Sequence, residues 1–211
     1  MFDAHELLER FMGTKNPDGS RKGPSGDLVT GLAAGGLAAV LLGTKPGRKL
    51  ALIAVKIGGL AAIAGLAYRA WKNWRSAGDE TGLESAPPLL GSPRQDASLA
   101  ILRAMMTAAK ADGHIDDAER RQIFIKLDAM NLEDGARTFV MAELEKPLDI
   151  DAVAAAAASP AAATEIYMAS VLAIAADTPA ERAYLEQLAA LLKLDPALKA
   201  SIETEAASAM A

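Results

Sequence analysis

The sequence has no cysteine, which excludes disulfide scaffolds, thiolate zinc sites, iron–sulfur clusters and cysteine nucleophiles. It has two histidines, too few for a site built mainly on imidazole, and only 4% aromatic residues. No segment alternates apolar and polar residues as a half-buried strand does. No GxSxG, HExxH or GxGxxG motif occurs. GTKPGRK, from Gly43, has the wrong spacing for a phosphate loop, and no Ser or Thr follows its final lysine. What fills the chain instead is alanine, 47 of 211 residues, with 17 glycines beside it. Small apolar residues at that density favour closely packed helices over sheets. The length allows one ordinary domain of ~100–150 residues and something smaller.

Charge divides the chain in two. Residues 1–95 carry 12 basic and 8 acidic side chains, and residues 96–211 carry 10 basic and 19 acidic. The basic half is also the apolar half. Residues 1–27 hold a short amphipathic segment (DAHELLERFM) and then a turn-rich stretch. Two apolar runs follow within residues 28–76, Leu28–Gly43 and Leu50–Tyr68, joined by a basic turn with Lys45, Arg48 and Lys49. A bilayer-spanning helix needs ~20 apolar residues. The second run has 19, interrupted by Lys56, and the first has 16. Tyr68, Arg69, Trp71, Lys72, Trp74 and Arg75 then alternate aromatic and basic character like an interfacial belt. Gly31 and Gly35 form a GxxxG, which permits close helix packing, including between two copies of the chain. These features predict a membrane-associated helical hairpin with both tails in the cytoplasm, since five basic residues flank its open end and three its turn. An Ala/Gly-rich helical pair packed inside a soluble protein or oligomer fits the same residues. The basic stretch carries no nucleic-acid-binding motif.

Residues 77–95 read as a linker, with three prolines and no periodicity. Residues 96–211 read as a helical bundle. A helix capped by Asp96 or Ser98 runs through Lys110, with Leu99, Leu102, Met106 and Ala109 on one face. Asp112-Gly113 ends it, and Asp116 starts a second with Ile123, Phe124 and Leu127 inward. A third lies near Glu133–Glu145, and a short alanine helix starts from Asp149 or Asp151. Ser159-Pro160, Thr178-Pro179 and Asp195-Pro196 each place a capping side chain before a proline at the first helical position. They predict helices to about Ala176, to about Leu194 and through the C-terminal region.

This bundle has a weak internal repeat. AKADGHIDDAERRQIFIKL, from Ala109, parallels AIAADTPAERAYLEQLAAL, from Ala173. Each has an Ala-rich helix end, an Asp, a break and an Ala-Glu-Arg helix start. The ADGHIDDAE break and its second copy resemble the TerB-like domain of tellurite-resistance proteins. The Gly/Ala-rich runs, the GTKPGRK joint and AYRAWKNW resemble the YebE-like bacterial inner-membrane branch of that group, a domain-of-unknown-function family. The resemblance covers roughly residues 28–205. It implies an all-helical domain of about seven helices behind membrane-inserting segments, without established enzymatic activity. It also implies a divalent-metal site, carried over by position to Asp112, Asp116, Glu119, Asp177 and Glu181.

Local chemistry offers a plainer role for those acids. Asp116-x-x-Glu119 and Thr178-x-x-Glu181 have capping-box spacing, and carboxylates in a first helical turn complement the helix dipole. As ligands, their hard oxygens would suit Ca²⁺ or Mg²⁺. The residues fit no EF-hand register, and His114 sits alone in a polar turn. The expectation is therefore an all-α, non-enzymatic, membrane-anchored adaptor at the bacterial inner membrane, its C-terminal domain cytoplasmic. It meets membrane lipids and an unidentified protein partner, in an envelope or tellurite-type metal stress response that the resemblance alone implies. The alternative is divalent-metal binding or sensing through the acidic breaks.

Overall fold

The computed structural model describes residues 3, 4, 7, 60–77, 95–111, 134–174 and 178–210. Among them are seven helices and no strand, the all-α class that the alanine content predicts. These are α1 (Leu60–Ala77), α2 (Gln95–Ala109), α3 (Asp134–Glu145), α4 (Ile150–Ala155), α5 (Pro160–Ala173), α6 (Pro179–Leu191) and α7 (Pro196–Met210). Residues 28–59, which carry the first apolar run, the basic turn and the start of the second run, lie outside the described residues. So do residues 78–94 and 112–133, the latter with the helix expected from Asp116. Among the described residues no helix is long and apolar enough to cross a membrane.

The helix starts follow from local side-chain chemistry. Asp149 accepts from Ala152 N–H at 2.9 Å and opens α4. Ser159 Oγ accepts from Ala162 N–H at 3.1 Å and opens α5, with Pro160 at the first turn. Thr178 and Glu181 complete a reciprocal capping box at α6. Asp195 Oδ1 accepts from the N–H groups of Ala197 and Leu198 at 2.8 and 3.2 Å and opens α7. Each device satisfies backbone donors that a helix start otherwise leaves unpaired.

The core is built around α5. Its sequence is mostly apolar around the helix, with Thr164, Glu165 and Ser170 the polar exceptions, and a helix of that kind is covered on nearly every side. Ala163 to Ala173 are all buried, with α2 packed most extensively against them and α1, α7, α6 and α4 completing the cover. α2 is nearly as enclosed. Ile101, Leu102, Ala104, Met105 and Ala108 are almost wholly inaccessible, while Leu99 and Ala109 sit half-exposed at the margin. The expected stripe on α2 was thus too narrow: Ala100, Ala104 and Ala108 form a second, small-residue face that is also buried. Leu7, from the N-terminal segment, joins the same core, and its N–H donates to the Asp3 carbonyl at 3.0 Å.

α6 ends at Leu191, three residues before the expected Leu194, and the cause is backbone geometry. Lys193 has φ 54°, in the left-handed region. Its N–H donates to the Ala190 carbonyl and that of Leu194 to the Ala189 carbonyl, both at 3.1 Å. This is a Schellman stop with lysine where glycine is usual. Left-handed backbone costs a residue with a Cβ about 1–2 kcal/mol, against roughly 0.5–1 kcal/mol of extra chain entropy lost by glycine. Lys193→Gly therefore raises stability by about 0.5 kcal/mol, read as an upward shift of the thermal midpoint.

Candidate functional site: an aromatic and basic helix face

α1 continues the second apolar run into the aromatic and basic segment, and its two faces do different work. Ile63, Leu66, Ala67 and Ala70 recur at helical spacing and are buried. Trp74 extends that line, half-buried against the core. This face lies on α7 and α5. Because residue 70 is alanine, α7 comes close enough for Ser201 Oγ to donate to the Ala70 carbonyl at 2.8 Å.

Polar bonds fix the register of the α1–α7 seam. Glu205 takes Asn73 Nδ2 on one carboxylate oxygen at 2.8 Å and Arg69 Nε on the other at 3.4 Å. Trp74 Nε1 donates to Asp195 Oδ1 at 3.1 Å, the atom that also caps α7. Contacts at higher α7 numbers match lower α1 numbers, so the helices run antiparallel. Neither Asp195, Ser201 nor Glu205 was among the expected functional residues. Only Asp195 carried a signal, and that signal was for a cap.

A flanking face of α1 holds Tyr68, Trp71, Lys72 and Arg75, at the i, i+3, i+4, i+7 spacing of one helical stripe, with Trp71 at its inner edge against the core. The Tyr68 and Trp71 rings stack with centroids 6.2 Å apart. The Arg75 guanidinium lies 4.7 Å from the Trp71 ring centre, within cation–π range. Lys72 is exposed, and Tyr68, Trp71 and Arg75 are partly so. Six of the nine expected interface residues thus divide between two roles: Arg69 and Trp74 hold the seam, and the other four form the stripe. Lys45, Arg48 and Lys49 lie outside the described residues.

Of the five acids considered as metal ligands, Asp112, Asp116, Glu119 and Asp177 lie outside the described residues. Glu181 is 2% exposed. Its Oε2 accepts from Thr178 N–H at 3.0 Å, while Thr178 Oγ1 accepts from Glu181 N–H at 3.1 Å. It serves as a cap. Among the described residues no group of three or more metal-ligating side chains comes together.

Two further polar clusters escaped the sequence reading because their members are distant along the chain. At the ends of α2 and α3, Glu143 accepts from Arg103 Nε at 3.1 Å and Lys146 Nζ at 2.6 Å. Burial would raise the Glu143 carboxyl, but the bonds from Lys146 and Arg103 outweigh it and hold it below its ordinary range. Lys110 Nζ caps the end of α3 through the carbonyls of Glu143 and Lys146; burial holds it below its ordinary value despite the attraction of Glu143. Under α7, Tyr167 donates to Glu203 at 2.8 Å, and Lys199 pairs with Glu203 and Glu186.

These features define a class first: a small all-α bundle to which the helix following an apolar run is firmly docked. The sequence model of a family described as protein of unknown function (DUF533) matches residues 27–206, and the chain belongs to that family. No curated protein and no solved structure matches it.

Two measurements probe the seam. Burying a leucine or isoleucine side chain contributes about 1.5–3 kcal/mol, whereas an exposed ion pair contributes about 0.2–1 kcal/mol. Leu66→Ala should cost about 2–4 kcal/mol in denaturant unfolding and Arg69→Ala less than about 1 kcal/mol. The second measurement concerns pH. Burial pushes the Tyr184 hydroxyl up to about 12, and burial with Glu203 pushes Tyr167 up as well. As pH rises past 10, the ordinary tyrosine value, the unfolded chain releases these protons and the folded chain keeps them. Stability must fall there, by on the order of 2 kcal/mol for Tyr184. Tyr184 makes only long bonds, to Ser170 Oγ at 3.4 Å and the Ala104 carbonyl at 3.5 Å. Tyr184→Phe should therefore change stability at neutral pH by about 1 kcal/mol or less and flatten the alkaline decline.

Proposed function

We propose that this chain is a non-enzymatic, membrane-anchored adaptor. The apolar residues upstream of α1, within 28–59, insert in the bacterial inner membrane, and its acidic TerB-like bundle is presented to a protein partner on the cytoplasmic side. The observation that carries this reading is the continuity of α1. One helix begins inside the second apolar run and ends in the aromatic and basic segment. Between them its apolar stripe is locked to α7 and α5. A docked helix of this kind transmits the position of an anchor to the bundle, which a slack tether does not. The five basic residues that flank the open end of the runs, against three at the turn, support the same orientation. The TerB-like resemblance supports a place in envelope or tellurite-type stress. Glu181 acts as a helix cap, and among the described residues nothing favours the metal reading over the adaptor.

The test is extraction of cell membranes carrying the full chain with alkaline carbonate. The reading predicts that the protein stays in the pellet. Removing residues 28–59, which leaves α1 and its seam in the chain, should release it as a protein that still unfolds cooperatively on heating. Complete extraction of the full chain by carbonate would contradict an inserted anchor.

A further inference from the structure

We propose that the Tyr68–Trp71–Lys72–Arg75 face of α1 is a binding surface for anionic phospholipid headgroups. The inference rests on the membrane reading above and adds the lipid class and the residues that select it.

Three observations point to this occupant. First, the stripe is the accessible flank of α1. α1 spends its apolar face on α7 and α5, and beside that face Lys72 is exposed while Tyr68, Trp71 and Arg75 stay partly accessible, with Trp71 also touching the core. Second, the composition of the stripe matches a headgroup layer. Two amphipathic rings sit beside two cations with no acidic side chain on the stripe, the combination favoured where hydrocarbon meets phosphate. Third, the stripe is ordered before any ligand arrives. The Tyr68–Trp71 stack and the Arg75 guanidinium over Trp71 hold the group together, so little side-chain freedom is left to lose on binding.

The neighbouring charges sharpen the assignment. Arg69, also on α1, is largely exposed but has Glu205 beside it at 3.4 Å, so a carboxylate offsets its charge. Lys72 and Arg75 are the cations that the stripe offers. Each cation near an anionic bilayer strengthens binding roughly fivefold. A partner that merely fills an apolar groove would gain nothing from them. A phosphate-rich surface gains from both, while the two rings give the helix its depth at the interface.

The experiment uses the full chain reconstituted with vesicles, and the protein supplies its own probe. It has two tryptophans, so Trp74→Phe leaves Trp71 as the single reporter on the stripe. Vesicles of phosphatidylcholine alone are compared with vesicles containing phosphatidylglycerol. The proposal predicts a blue shift of Trp71 emission, and quenching by brominated lipid, that are stronger with phosphatidylglycerol and weaken with salt. Lys72→Gln with Arg75→Gln should weaken the stripe's engagement of the anionic surface by ~25-fold, read as loss of the phosphatidylglycerol-dependent Trp71 response, and leave carbonate-resistant association unchanged. Equal Trp71 responses to both compositions, or no effect of the double substitution, would overturn the stripe while leaving the anchor standing. No association with either vesicle would instead remove the anchor. Retention of a short single-stranded oligonucleotide as tightly as anionic vesicles, abolished by the same double substitution, would overturn the lipid assignment in favour of nucleic acid.

Discussion

The apolar stripe Ile63, Leu66, Ala67 and Ala70 is the constraint from which the rest of this molecule takes its meaning. Those residues belong to a run whose hydrophobicity suits either a lipid bilayer or a protein interior. In the described part of the chain they face protein. Once they are committed to α7 and α5, the orientation of everything else on α1 is set, because a helix has no freedom to turn one face without the other. Arg69, Asn73 and Trp74 fall on or beside the seam, where Glu205 and Asp195 receive them. Tyr68, Trp71, Lys72 and Arg75 fall on the accessible flank, with Trp71 at its inner edge against the core.

Magnitudes identify which contacts hold this arrangement and which only align it. Burial of Ile63 and Leu66 is worth several kilocalories per mole at about 1.5–3 kcal/mol each. The Arg69–Glu205 pair is long and its arginine largely exposed, so solvent screening leaves it a small share. Its value is registry, because it fixes where along α7 the stripe settles. The alanines matter through absence. Ala70 brings backbone to within reach of the Ser201 hydroxyl, and Ala104 and Ala108 on α2 are wholly buried without adding bulk to the core. A composition rich in alanine and poor in aromatics builds a core from closely spaced helix axes instead of large side chains.

Local chemistry was legible in the sequence where it acts within a few residues. The Ser-Pro, Thr-Pro and Asp-Pro junctions located the starts of α5, α6 and α7, and each capping side chain accepts the bond expected of it. Spacing also gave Glu181 its role as the return half of a capping box. The end of α6 was not legible, since Lys193 is a poor advertisement for left-handed backbone and only the completed turn reveals it. The two-faced character of α1 was not legible either. Aromatic and basic residues over 68–75 read as one interfacial belt, and sorting them required Asp195, Ser201 and Glu205, more than 120 residues away along the chain. No local pattern encodes a pairing of that range. The Glu143 and Tyr167 clusters were hidden for the same reason.

The central claim is that α1 travels with the bundle as one body while its outer stripe stays free to meet another surface. The absence of cysteine makes a direct test straightforward. Arg69→Cys with Glu205→Cys places one thiol on each side of the seam, at a pair whose charged atoms lie 3.4 Å apart. Lys72→Cys with Glu205→Cys serves as the control, with its α1 thiol on the outer stripe. Treatment of the full chain in membranes with a short bifunctional thiol reagent should cross-link the first pair within one molecule and leave the second largely unlinked. Equal linkage of both pairs, or none of either, would mean that α1 does not sit on α7 as described, and the account of the two faces would fall with it.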